Sequence, residues 1–128
     1  IMQKREALLQ ELIKSLKDWS REFIEEEKYK AFVQKNIEHA LRVMEGQNLL
    51  FSFTEKDISD LGPLIKKQIE KSGAQRNIEL TLSKEDIIGG FTVEDKNSGI
   101  LADFTIKTLI DESKEYMGKK LYDRLDEV

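Results

Sequence analysis

Residues 86–105 read DIIGGFTVEDKNSGILADFT. Ile87-Ile88-Gly89-Gly90-Phe91-Thr92-Val93-Glu94 leads into the polar run Asp95-Lys96-Asn97-Ser98-Gly99, and Ile100-Leu101-Ala102-Asp103-Phe104 returns. Two apolar, β-branched and aromatic stretches around an Asn- and Gly-containing turn predict a β-hairpin, because those residues reach the positive φ angles a tight turn requires. Thr105 follows as a candidate N-cap, with Thr108 three positions on in place of the acid of a full capping box. Ile106, Leu109 or Ile110, Ser113, Met117, Leu121 and Leu125 then recur on one helical face.

Upstream of the hairpin the same reasoning gives a strand, a helix and a strand. Asn48-Leu49-Leu50-Phe51-Ser52-Phe53 is short, apolar and bounded by polar residues. Thr54-Glu55-Lys56-Asp57 reads as a turn, with a helix from about Asp60 to Lys71 that has Gly62-Pro63 in its first turn. Its apolar face is Leu61, Leu64, Ile65 and Ile69, and Ser72-Gly73 stops it. Asn77-Ile78-Glu79-Leu80-Thr81-Leu82 alternates polar and apolar, as a strand with one buried face does. Strand, helix, strand predicts a crossover with parallel pairing.

The chain up to Met44 contains neither Gly nor Pro, which licenses long helices. Met2, Leu9, Leu12, Leu16, Trp19 and Phe23 form a stripe whose last five members are alternately 3 and 4 apart, the spacing of a seam facing one neighbour. Leu8, Ile13 and Ile24 widen it. A second stripe, Tyr29, Val33, Ile37, Ala40 or Leu41, and Met44, starts six rather than seven residues after Phe23, so the two are out of phase. The reading is two helices, or one bent near residues 25–28, with Gly46 as the C-cap of the second. The expected fold is α+β: two N-terminal helices, a roughly four-stranded mixed sheet built as β-α-β and then a hairpin, and a C-terminal helix.

Composition narrows the function. The 128 residues suffice for one ordinary domain. Lys plus Arg is 21 against 25 Asp plus Glu, a net charge of −4, which argues against binding nucleic acid or anionic membranes through bulk charge. Cys is 0 and His is 1, so a disulfide framework, a thiolate nucleophile and a multi-histidine metal site are excluded. No apolar run approaches the roughly 20 residues of a membrane span, and no signal peptide is visible. The expectation is a cytoplasmic protein without direct membrane insertion. Ile1-Met2 is not an ordinary start, so a longer natural chain is expected.

The remaining chemistry-bearing residues read mainly as structure. Gly89-Gly90 precedes a strand rather than a helix and lacks the Gly-Lys-Ser/Thr of a phosphate loop, so it reads as a bulge or close backbone contact. Glu25-Glu26-Glu27 cannot converge on one ion, because successive helical residues point in different directions. Asp57, Asp60, Glu85, Asp86, Glu94, Asp95 and Asp103 lie near turns but at no calcium-loop spacing. His39 stands beside the apolar stripe, and no Gly-x-Ser-x-Gly elbow is present. Lys66-Lys67 and Lys119-Lys120 read as solvated helix faces. The expectation is no catalytic, cofactor-binding or metal site. Trp19 and Phe23 differ. They pack either on the domain's own second helix or, with the turns before them, on a helix of another protein chain.

Residues 86–94, the polar turn, and Ile100-Leu101-Ala102-Asp103-Phe104-Thr105 before a long helix resemble the C-terminal domain of the E subunits of vacuolar/archaeal-type ATPases. That family commonly shows Ile-Gly-Gly before a valine-rich strand, an Asp-Gly turn and a second strand ending in Asp-Asn-Thr. Here Phe104 stands for that Asn, and Asn97-Ser98-Gly99 stands for Asp-Gly. The order of the preceding elements agrees as well, so the resemblance covers nearly the whole chain. It implies a non-catalytic stator component of a peripheral stalk, paired with the slender G subunit through a long charged N-terminal helix and docked on the B and A subunits of the headpiece. On that reading residues 1–24 end the stalk helix and residues 25–128 form the docking domain. Leu9, Leu12, Leu16, Trp19, Phe23, Met117, Leu121 and Leu125 are the expected partner interface. A stator-like regulator of a flagellar or type III export ATPase, a small ligand-binding α+β domain, and a single-strand binder stacking bases on Phe51, Phe53 and Phe91 are the alternatives.

Overall fold

The computed structural model describes residues 2–73 and 75–126, and the side chains of these except residues 2, 3, 5, 117, 118 and 120–126. Four helices and four strands follow one another among the described residues: α1 (Met2–Phe23), α2 (Glu27–Val43), β1 (Asn48–Phe53), α3 (Glu55–Ser72), β2 (Asn77–Leu82), β3 (Gly90–Asp95), β4 (Leu101–Thr105) and α4 (Ile106–Asp126). The α+β class and the element order are those expected. The phase slip between the two N-terminal stripes corresponds to a true break at residues 24–26, after which Glu26 takes an extended conformation as the N-cap of α2.

The sheet order is β2-β1-β3-β4. β1 pairs parallel with β2, Phe51 opposite Leu80, and antiparallel with β3, Phe51 opposite Val93. The β3–β4 hairpin sets Phe91 opposite Phe104. This register collects Leu49, Phe51, Phe53, Phe91 and Val93 on one face, and all five are fully buried. Tyr29, Val33, Ile37, Ala40 and Leu41 of α2 and Leu61 and Ile65 of α3 complete that core. Phe51 and Phe53 each pack on Phe91 at centroid separations of 5.4 and 5.2 Å, and each buried ring contributes roughly 2 kcal/mol or more. The opposite face carries Leu50, Ser52, Thr81 and Thr92, exposed or half-buried.

Three local expectations are corrected. The third helix starts at Glu55, not near Asp60, because Thr54 caps it: the Thr54 hydroxyl accepts the Asp57 amide at 3.1 Å. Pro63 therefore sits in the helix interior, on an exposed position. Gly46 is not the cap of α2, which ends on Met44 in an extended conformation. Gly46 instead lies against the Asp95 side chain, where a Cβ would collide with the carboxylate. Residues 87–89 precede β3 rather than belong to it. Ile88 has φ +69°, and the Gly89 amide turns back to the Ile87 carbonyl at 2.8 Å, forming a strained γ-turn. That loop then serves α4: its Gly89 and Ile87 carbonyls accept the amides of Ile106 and Lys107, two of the orphan donors at the helix start. Thr105 caps α4 as expected, its hydroxyl accepting the Thr108 amide at 3.1 Å.

Candidate functional site

The surface most unlike ordinary solvated protein is a groove bounded by α1, α2 and α4. Helix α1 lies along α4. Among the described side chains of α1, Ile13 and Ser20 are the two buried ones. Ser20 is small, which lets α4 approach, and its hydroxyl donates to the Leu16 carbonyl at 2.7 Å, so no polar atom is orphaned there. Beyond this contact the apolar surface of α1 continues outward. Leu9, Leu16 and Phe23 are half-buried, while Leu12 (42%), Leu8 (43%) and Trp19 (56%) are exposed. The five expected α1 residues thus divide into an inner and an outer row. The alternative of packing on the second helix holds for Phe23, whose ring meets Tyr29 and Phe32 edge-on at 5.7 and 5.9 Å. Trp19 stacks on Phe23 at 5.1 Å and is left open to solvent on its other side.

Between these rows and α4 runs a cleft of about 240 Å³ lined by Leu16, Trp19, Phe23, Phe32, Leu109 and Ile110, with Ser20 and Ser113 its polar members. Leu109 of α4 lines it and is exposed, and Tyr116 further along that helix is exposed as well. Of the α4 face read from sequence, Ile106 and Ile110 are buried and Leu109 is outward. Met2, Met117, Lys120, Leu121 and Leu125 lie outside the residues whose side chains are described. Phe32 is a groove residue that the stripe at Tyr29 and Val33 did not include. It falls three residues after Tyr29, next to that stripe on the helix, and this spacing is the signal for it.

The cleft's lining holds two serine hydroxyls and no acid, histidine or lysine beside them. The other candidates are also committed to structure. Tyr29 and Asp57 are buried to within 2% of full enclosure. The Tyr29 hydroxyl donates to Asp57 and accepts the Gly90 amide at 2.6 Å, so one polar chain joins α2, α3 and β3 inside the core. Burial, then the Asp57 charge, pushes the Tyr29 phenol well above its ordinary range. Burial also raises the Asp57 carboxyl, against the lowering effect of the Tyr29 hydrogen bond. Gly89 lies under the same hydroxyl, where a Cβ would come within 2.7 Å. The glycine pair is the close backbone contact expected of it.

Asp103 is held by Thr105 and Thr108. Partial burial raises its carboxyl, but hydrogen bonds from both hydroxyls and from the Thr105 amide bring it below the ordinary range. Thr108 thus takes the capping-box position with a bond to Asp103 instead. His39 is exposed, edge-on to Phe104 at 6.0 Å. Glu25, Glu26 and Glu27 are exposed, and Glu25 pairs with Lys56. Among the described residues no group of three acids or histidines could hold a metal ion. No helix is long and apolar enough to cross a membrane, again among the described residues. Phe51, Phe53 and Phe91 are wholly enclosed, so bases cannot stack on them.

Comparison with known proteins adds identity to this geometry. Residues 1–125 match the family model described as ATP synthase (E/31 kDa) subunit. The chain is 25% identical over 119 residues to the second V-type ATP synthase E subunit of Clostridium tetani, covering 92% of this chain and 56% of that protein. It is 24% identical over 125 residues to the V-type proton ATPase E subunit of Halothermothrix orenii, covering 96% of this chain and 60% of that protein. The chain thus spans less than two thirds of the length of either relative.

Proposed function

This chain belongs to the ATP synthase (E/31 kDa) subunit family, and from that premise we infer that it works as a non-catalytic peripheral-stalk component of a V- or A-type rotary ATPase. In this reading it links the headpiece to the membrane sector and resists torque during ATP-coupled proton or sodium transport. It stays cytoplasmic and peripheral to the membrane. Residues 1–24 continue a stalk helix, and residues 25–128 form the domain that docks on the B and A subunits of the headpiece. The G subunit is the helical partner, held by Leu9, Leu12, Leu16, Trp19 and Phe23 of α1 and by Met117, Leu121 and Leu125 of α4.

One observation carries the reading: α1 keeps an apolar row, Leu8, Leu12 and Trp19, uncovered beside an apolar cleft. Exposed Trp and Leu in one contiguous patch mark a surface made to be covered by protein. Load entering through α1 passes to α4 and through Phe23 to the core, so many weak contacts share it.

The test is to tag the protein in its native host and identify what co-purifies at modest salt. A small helical protein together with headpiece subunits supports the reading. A clean preparation without any ATPase component overturns it.

A further inference from the structure

We propose that Glu26 is a conformational hinge, and that α1 moves between its docked position against α4 and a straight state in which α1 and α2 form one continuous helix. The inference concerns this chain alone and rests on no partner.

The first argument is local. Residues 20–30 read SREFIEEEKYK and contain neither Gly nor Pro, so the break between the two helices has no breaker in it. Helical hydrogen bonding runs on past Phe23: the Ile24, Glu25 and Glu26 amides donate to the Ser20, Glu22 and Phe23 carbonyls at 3.2, 3.1 and 2.9 Å. It resumes where the Tyr29 amide donates to the Glu26 carbonyl at 3.1 Å. Between these, Glu26 is extended (φ −88°, ψ 155°), and its side chain makes no capping hydrogen bond. Turning its ψ to about −40° carries the helix through.

The second argument is what holds the bend. Ile24 lies on Gly89, where a Cβ would come within 2.9 Å of its Cγ2. Phe23 meets Tyr29 and Phe32 edge-on. Arg21 pairs with Asp86 at 3.1 Å, and Glu25 pairs with Lys56, both in exposed positions where an ion pair contributes little. Ile13 and Ser20 are the buried members among the described side chains of α1, and an apolar cleft of about 240 Å³ interrupts its packing on α4. The bend is therefore held by tertiary contacts and opposed by the local sequence. When those contacts open, the cooperativity of helix formation favours continuity.

The third argument is phase. Six residues separate Phe23 from Tyr29, which on one continuous helix sets the two apolar stripes about 120° apart. With α2 fixed on the sheet, the α1 stripe then turns off the core-facing side. Ile13, Leu16 and Ser20, covered or half-covered when α1 is docked, become accessible beside Leu12 and Trp19. The two states aim α1 in different directions and present different faces of it.

The experiment measures a distance in the purified chain by pulsed electron paramagnetic resonance. The chain has no cysteine, so nitroxide labels enter only at two exposed positions, as E11C/K66C. Helices α2 and α3 run parallel, since Tyr29 meets Asp57 near their starts and Leu41 meets Gly73 at their ends. At about 1.5 Å per residue, the straight state sets positions 11 and 66 about 40 Å apart. The docked state folds α1 back beside α2 and α4, where Leu16 shares the cleft with Phe32 and Ser113, and gives a shorter distance.

Two variants move the equilibrium in opposite directions. Glu27→Pro fits the bend, because proline is favoured at the first helical position and wants an extended residue before it, as Glu26 is. In the straight helix the same proline would clash with the Phe23 carbonyl. R21A/K56A removes both exposed pairs, each a factor of about two. The labelled protein should show a short and a long population, E27P the short one only, and R21A/K56A a long-to-short ratio about fourfold higher than wild type, with circular dichroism confirming that each variant is folded. A single short distance in both wild type and R21A/K56A, a ratio that R21A/K56A leaves unmoved, or a long population that persists in folded E27P overturns the proposal. No partner takes part, so either outcome leaves the stalk reading to its own test.

Discussion

Replacing Tyr29 by Phe removes one oxygen atom from the centre of the core, and its effect can be worked from the structure. The ring remains buried against Phe23 and Phe32, so no apolar contact is lost. Two polar groups lose a partner. The Gly90 amide, an acceptor-dependent group at the start of β3, is orphaned. The Asp57 carboxylate loses its donor from α2, although the Thr54 hydroxyl stays beside it. An unsatisfied buried group costs about 1–3 kcal/mol, more when charged, which gives about 3 kcal/mol for the pair. That is a large part of an ordinary folding free energy and corresponds to a fall in Tm of about 10 °C.

The deficit also has a pH signature. The Asp57 carboxyl is raised above its unfolded value, so in the folded wild type its contribution is greatest below about pH 4 and is lost as pH rises through the raised folded value. Without Tyr29 the folded carboxyl rises further, so more is lost by neutral pH. The Y29F deficit should therefore be larger at pH 7 than at pH 4.5. Urea unfolding followed by circular dichroism at both pH values measures it, with an unchanged m-value as the sign that the same surface is exposed. A deficit below about 0.5 kcal/mol at pH 7, or one that does not change with pH, refutes the reasoning.

Other perturbations test separate parts. Asp57→Asn keeps an acceptor for Tyr29 and removes the titration. The stability of wild type relative to D57N should fall as pH rises from about 4, read from paired urea curves; a flat difference contradicts the raised carboxyl. Gly90 and Gly99 share a φ of +76°, but a Cβ on Gly90 meets the Phe104 carbonyl oxygen while one on Gly99 meets open space. Gly90→Ala should then cost about 3 kcal/mol or more and Gly99→Ala about 1 kcal/mol, compared by thermal melts. Ile87 and Ile88 are similarly buried, but only Ile88 has positive φ. Ile88→Gly should cost about 1–2 kcal/mol less than Ile87→Gly because it releases strain, and equal costs in denaturant titrations would contradict the strained turn.

What could be read from sequence was whatever depends on neighbours along the chain. The alternation in residues 77–82, the Asn- and Gly-containing turn of the hairpin and the phase slip after Phe23 each encode a local geometry, and the strand, the turn and the helix break all form there, although the first hairpin strand begins at Gly90 rather than Ile87. Thr54 shows a local signal overruled by another: Gly62-Pro63 argued for a late helix start, but a capping hydroxyl and the buried Leu61 and Ile65 hold the helix together through the proline. The Tyr29–Asp57–Gly90 chain was not legible, since its members are 28 and 61 residues apart and meet only after the sheet forms. The groove was half legible. The seam on α1 announced an apolar face, but which residues α4 would cover depended on the pairing of the first and last helices, which no local pattern specifies.

The central claim is that the outer row of α1 is covered by a partner helix in the assembled complex. The most direct measurement places a photo-crosslinking amino acid at position 12, in that row, or at position 17, on the back of α1, in the protein expressed in its native host. The account predicts an adduct with a small helical protein from position 12 and little from position 17. Equal adducts from both positions, or none from position 12, would contradict it.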